Sequence, residues 1–176
     1  MTDLAEEKVY LWNKRHEVIY KAELSALYHL KRERFFDLLD KFSKAVSLIG
    51  GSAAIWKISE PETVTRIAAL ITVSSSLSLV LSFSDRSRRH AEFARNYRKL
   101  TAEIYRKGER SFQEDDINQW MAQACEIECS EPLPLSALVI ICQNELAIAN
   151  NEKEKIHPLP FWARWLAHFF DMPQRG

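Results

Sequence analysis

The sequence predicts an all-α fold: a two-span transmembrane helical hairpin with long cytoplasmic helix extensions and a C-terminal helical subdomain. Three observations predict it. The 176 residues contain only 4 glycines, and Pro61 is the only proline before residue 131, a composition suited to long helices rather than to a β-sandwich. Residues 67–84, "IAALITVSSSLSLVLSFS", carry no charge and just exceed the lower limit of roughly 17 residues for a spanning helix. Basic residues crowd the outer flanks of the two apolar segments and spare the connection between them, as the positive-inside rule requires of a hairpin with both termini in the cytoplasm.

Charge supplies little else. Lys+Arg and Asp+Glu number 24 each, so no global field steers the chain to nucleic acid, and direct nucleic-acid binding is not expected. Hydrophobic residues make up 47% of the chain, enough for a substantial core. An odd count of 3 cysteines suggests a reducing compartment. The opening "MTDLAEEKVYLWNKRHE" has no apolar h-region, so no secretory signal is predicted and membrane insertion must come from within.

Taken in order, 3–42 lacks Gly and Pro, and Leu24, Leu27, Tyr28, Phe35, Leu38, Leu39 and Phe42 form a helical stripe. In 43–59 that pattern gives way to an uncharged core from Ala45 to Trp56 with Gly50-Gly51 inside it. Those residues reach span length only as 42–59, with Lys44 and Lys57 snorkelling to the interfaces and Trp56 at the far one. "EPET" at 60–63 is a turn in which Pro61 stops one helix and Thr63 can cap the next. The second apolar segment is followed by 85–108, where His90, Phe93, Tyr97, Leu100 and Ile104 share a narrow face suited to a helix or oligomer interface. Residues 1–108 thus form the hairpin with its extensions. Residues 109–176 form the C-terminal subdomain, with helices at 114–129 and 135–149 and an aromatic ending, "FWARWLAHFF". Trp162 and Trp165 suit either an interfacial helix on the inner leaflet or the closure of a cytoplasmic bundle.

The serines pose the functional question. On a helix, Ser74, Ser75, Ser78 and Ser82 fall on one stripe, which Asp85 extends. Small hydroxyl residues let helices approach closely and bond across them, and Gly50, Gly51, Ser52, Ala53 and Ala54 are a matching small surface. The same stripe suits the wall of a water-filled pore in a ring of subunits, with Asp85 and Arg86, Arg88 and Arg89 at its cytoplasmic mouth.

An uncharged pair of helices followed by the stretch "DRSRRHAEFARNYRKLTAEI" (85–104), with His90, Ala91, Phe93, Tyr97 and Leu100, resembles the SLATT domains, two-transmembrane effector domains of bacterial conflict systems. It is also similar to the small membrane accessory proteins of some RNA-targeting CRISPR systems. The resemblance covers about 24–108. It implies a homo-oligomeric effector in the bacterial inner membrane that perforates or disrupts the bilayer in antiphage defence, downstream of a sensor or CRISPR effector protein. The rival readings are a soluble helical interaction module with 43–84 as a buried hairpin, and a membrane-anchored adaptor without pore activity.

No enzyme is expected. The chain has no Gly-rich phosphate loop, paired catalytic carboxylates or nucleophile motif. "RSRRH" and "RWLAH" each place His four residues after Arg, unlike the spacing of HEPN-type nucleases. Cys125, Cys129, Cys142 and His157 lack zinc-site spacing, so buried free thiols are the default and no metal or cofactor is expected.

Overall fold

The structure is a computed structural model that describes residues 2–56 and 61–171, with side chains over 6–53 and 61–171. It is all-α: α1 (Thr2–Trp56), α2 (Pro61–Leu81), α3 (Phe83–Lys107), α4 (Glu114–Glu128), α5 (Ser136–Ala149), a 3-10 turn (Lys153–Lys155) and α6 (Phe161–Leu166), with no strand among the described residues. The 55-residue α1 runs unbroken through Gly50-Gly51. Pro61 does not merely end a helix. It is the first residue of α2, where a missing N–H costs nothing and the fixed φ is already helical. Between α2 and α3 the helix is interrupted at Ser82, whose φ of 47° lies in the left-handed region, uncommon for a side-chain-bearing residue. Its N–H and hydroxyl both donate to the Leu79 carbonyl, at 3.3 and 3.2 Å.

The chain forms two compact units, one of residues 1–30 with 91–176 and one of 31–90. This differs from a boundary at 108, and the cores explain why. Ile117 and Trp120 of α4 bury against Val18, Ile19, Ala22 and Ala26 of α1 and Tyr97, Leu100 and Ile104 of α3. Ala137, Leu138 and Cys142 of α5 bury with Tyr28 and Ala167. The C-terminal helices therefore complete a core begun by α1 rather than building a separate one. Burial of each large apolar side chain contributes about 1.5–3 kcal/mol. Gly108, at φ 82°, turns the chain out of α3 where a side chain would be strained. At the start of α4, Asp116 Oδ2 accepts the Gln113 N–H at 2.8 Å while Oδ1 pairs with Lys107 at 2.9 Å. Tyr28 Oη accepts the Leu135 N–H at 3.1 Å, anchoring the entry to α5.

Residues 31–90 form an antiparallel pair. Ser87 Oγ donates to the Glu33 carbonyl at 3.3 Å, Ser43 Oγ donates to the Ser74 carbonyl at 3.2 Å, and Ser47 and Ser75 hydroxyls meet at 3.2 Å. These contacts set one register along the pair. Among the described residues, one continuous stretch (61–107) is long and apolar enough to cross a membrane. The expected second span over 42–59 is not there as such. Its described part is apolar for only the 12 residues from Ala45 to Trp56, because Lys41 and Lys44 enter one turn earlier.

Candidate functional site

The paired segment 31–90 is built inside out relative to a water-soluble hairpin. Around Ser43, Ser47, Ser74 and Ser75 its seam is small and polar, whereas Phe36 and Phe83 are buried further along. Ser43 is buried in the polar part, and Ser74 Oγ reaches it at 3.3 Å. Gly50 lies so close to α2 that a Cβ would sit 2.9 Å from Ile71 Cγ1, so glycine is what lets the two helices approach. The outward faces are aliphatic: Leu79 and Val80 are each 79% exposed and Leu48 73%, and no residue of α2 is buried. A contiguous exposed apolar surface of this kind marks a membrane or a protein partner.

The register also locates the charges. With Ser43 and Ser47 against Ser74 and Ser75, the charged turn 37–44 runs beside the final third of α2. Its charges pair along α1: Asp37 with Lys41 at 2.7 Å and Asp40 with Lys44 at 2.6 Å. Further along, Phe36 is the centre of a buried group. The Phe83 and His90 rings stack on it at centroid distances of 6.5 and 5.6 Å. The guanidiniums of Arg32 and Arg86 lie over the same ring at 4.5 and 5.7 Å.

The residues singled out in the sequence divide accordingly. Ser74 and Ser75 face the first arm and bond to it. Ser78 is half-buried, while Ser82 and Asp85 are exposed, with Ser82 at the helix break. Arg86, Arg88 and Arg89 are exposed. Of the face expected at an oligomer interface, His90 packs on Phe36, Phe93 lies 5.0 Å from the His29 ring, and Tyr97, Leu100 and Ile104 are buried in the chain's own core. The four buried members of that face are enclosed within the protomer, because α1 supplies the complementary apolar surface. Trp162 and Trp165 are exposed on α6 beside Phe161, Phe169 and Phe170. The side chain of Trp56 lies outside the described residues, as does Lys57. Cys125 and Cys129 are exposed and Cys142 is buried.

A second cluster escapes sequence reading. His29, almost wholly buried, places Nε2 3.0 Å from Glu131 Oε1. Tyr97 bonds to the same carboxylate and to Ser25, and its phenol is pushed well above the usual range by burial first and then by Glu131. A cleft of about 300 Å³ opens here, lined in part by Ser25, Tyr28, Glu128 and Leu133. Helical spacing carried no sign of this group, because Glu131 sits in the Pro-containing turn 130–135, about a hundred residues from His29. Arg15 is also buried, its guanidinium facing Phe112 at 5.6 Å and Tyr105 at 5.9 Å, a cation–π placement on two rings.

Comparison with protein-family models, curated proteins and solved structures gave no match.

Proposed function

We propose that this chain is an oligomeric inner-membrane effector that forms a pore or disrupts the bilayer, acting in antiphage defence downstream of a sensor partner. The observation that carries the membrane reading is the inverted hairpin, with serine and glycine in the seam and aliphatic side chains outside. Hydrocarbon selects that arrangement, because small residues let helices touch and polar groups must find partners between them. The antiparallel register keeps the first arm beside the one membrane-length stretch, and the basic flanks support a cytoplasmic placement of the charged end. Trp162 and Trp165 then serve as interfacial anchors.

The charged turn 37–44 favours a conduit over a simple anchor. Ser75, against which Lys44 falls in register, precedes the end of the apolar run at Ser84 by nine residues, or roughly 13 Å at 1.5 Å per residue. Ion pairs at such depth are rare unless they face water or protein. The water-facing side of the conduit is then the Asp37–Lys41 and Asp40–Lys44 strip, with the serines serving to pack the arms. The adaptor reading has its own support, since Ser74 and Ser75 are used within the hairpin.

The test is reconstitution. The chain stays in the pellet after alkaline carbonate extraction and releases dye from liposomes, alone or with its trigger. The double substitution Asp40→Leu with Lys44→Leu keeps integration and abolishes release. Release by carbonate without detergent removes the membrane reading, and integration without flux leaves the adaptor.

A further inference from the structure

Arg15 is almost wholly enclosed, 1% exposed, and its neighbours one turn on, Val18 and Ile19, belong to the apolar core. Its guanidinium lies 5.6 Å from the Phe112 ring and 5.9 Å from the Tyr105 ring. Its Nε and Nη2 are buried and have no hydrogen-bond partner. Glu17, the nearest acidic residue along α1, is taken up with Lys14 and Lys21 at 3.1 and 3.3 Å. Aromatic faces attract the cation but do not replace the acceptors that water gave its N–H groups, so the arrangement is costly as it stands.

The two unpartnered nitrogens belong together. Nε and Nη2 form one edge of the guanidinium, and their N–H groups leave it side by side as the fork that takes both oxygens of a carboxylate. Tyr105, one of the two covering rings, is 55% exposed and is also a wall of a cleft of about 1000 Å³ that Asn13, His16, Ile19, Gln143 and Asn150 help to line. Its hydroxyl donates to Glu23 at 3.1 Å. Of the carboxylates that border this cleft, Glu17 and Glu152 are already paired with lysines, which reduces the repulsion a further anion would meet.

We infer that the Nε–Nη2 edge of Arg15 is the binding position for the carboxylate of a small molecule with an apolar body, which enters from this cleft as the Tyr105 ring turns aside. The apolar body follows from the surroundings, Phe112, Tyr105 and Ile19. A free small molecule is favoured over a carboxylate on a protein partner because the edge lies behind a cleft wall and not on an open surface. The site belongs to the unit of 1–30 and 91–176 and does not depend on the membrane reading.

The experiment is titration calorimetry of the purified full chain with phenylacetate and with phenylacetamide, which keeps the shape without the charge. Phenylacetate is expected to bind about tenfold tighter or more, as for a charge-assisted contact. Arg15→Met should abolish that difference, and Arg15→Lys, which keeps the charge but not the fork, should recover little of it. Melting of Arg15→Met without ligand checks the premise independently: removing an uncompensated charge from an apolar core should leave the melting temperature at or above that of the parent. A lower melting temperature shows a guanidinium already satisfied and overturns the site. Equal affinity for the acid and the amide, or a preference for the acid that survives Arg15→Met, overturns it too. Binding of a Glu-rich peptide without binding of phenylacetate overturns it in favour of a protein partner.

Discussion

Trp120 and Ser43 belong to different compact units of this molecule. Each is among the most buried residues of its unit, yet one is the largest apolar side chain and the other a hydroxyl. In the unit that contains α4 and α5, aromatic and aliphatic groups form the core and most charges lie outside, the order water imposes, with Arg15 buried against Phe112 and Tyr105. In 31–90 hydroxyls and Gly50 lie in the seam beside a buried Phe36–Phe83 group, while Leu48, Leu79 and Val80 face outward. One continuous helix, α1, serves both orders, so the difference lies in side-chain placement and not in backbone. The two units should therefore fail in different ways.

The largest effect should come from Trp120→Ala. Truncating a core Trp costs about 3–5 kcal/mol, so circular dichroism should show the α4–α5 unit melting at much lower temperature. On the proposed membrane reading, carbonate-resistant integration of 31–90 should survive. Val73→Arg should do the reverse. It places a charge on the outward face of α2, at a cost of roughly 2.5–3.5 kcal/mol near a bilayer centre, and so should reduce integration while the melting of the other unit is unchanged. If both substitutions impair both readouts equally, the contrast between the units fails.

Next is Gly50→Val. A Cβ alone would press on Ile71 Cγ1 at 2.9 Å, in a part of that side chain that cannot easily swing away. Overpacking costs about 1–3 kcal/mol and should part the two arms. A cysteine pair at 47 and 75, which crosslinks in the parent hairpin, should then crosslink poorly. Unimpaired crosslinking would mean that Gly50 does not set the approach of the helices.

How much of this was legible in the sequence depends on what encodes it. The all-α class, the apolar stretch 67–84 and the basic flanks are local properties of composition, and they are visible in one dimension. The serine stripe was visible too, but its neighbour was not: only the register shows that Ser74 and Ser75 meet Ser43 and Ser47. The face containing Tyr97, Leu100 and Ile104 reads equally well as an oligomer contact or as core, since an apolar stripe does not name its partner. The break at Ser82 carries no glycine or proline to announce it. The His29–Glu131 contact joins residues about a hundred positions apart and had no local signal at all.

The smallest effect tests the water-facing order of the first unit by pH. The Asp116 carboxyl is held below its ordinary value, first by its hydrogen bond to Lys107 and then by the Gln113 N–H. Its folded-state pKa is thus lower than its unfolded one. The stabilisation it contributes is complete above the unfolded value and is lost as pH falls through the folded value. Between about pH 5 and pH 3, melting of the wild-type bundle should therefore fall more steeply than that of Asp116→Asn. The amide still accepts the Gln113 N–H but cannot pair as an ion with Lys107. The carboxyls of Glu17 and Asp171 are lowered as well, so only the difference between the two slopes reports on Asp116. Identical slopes would show that the Lys107–Asp116 pair, exposed as it is, adds nothing beyond the cap.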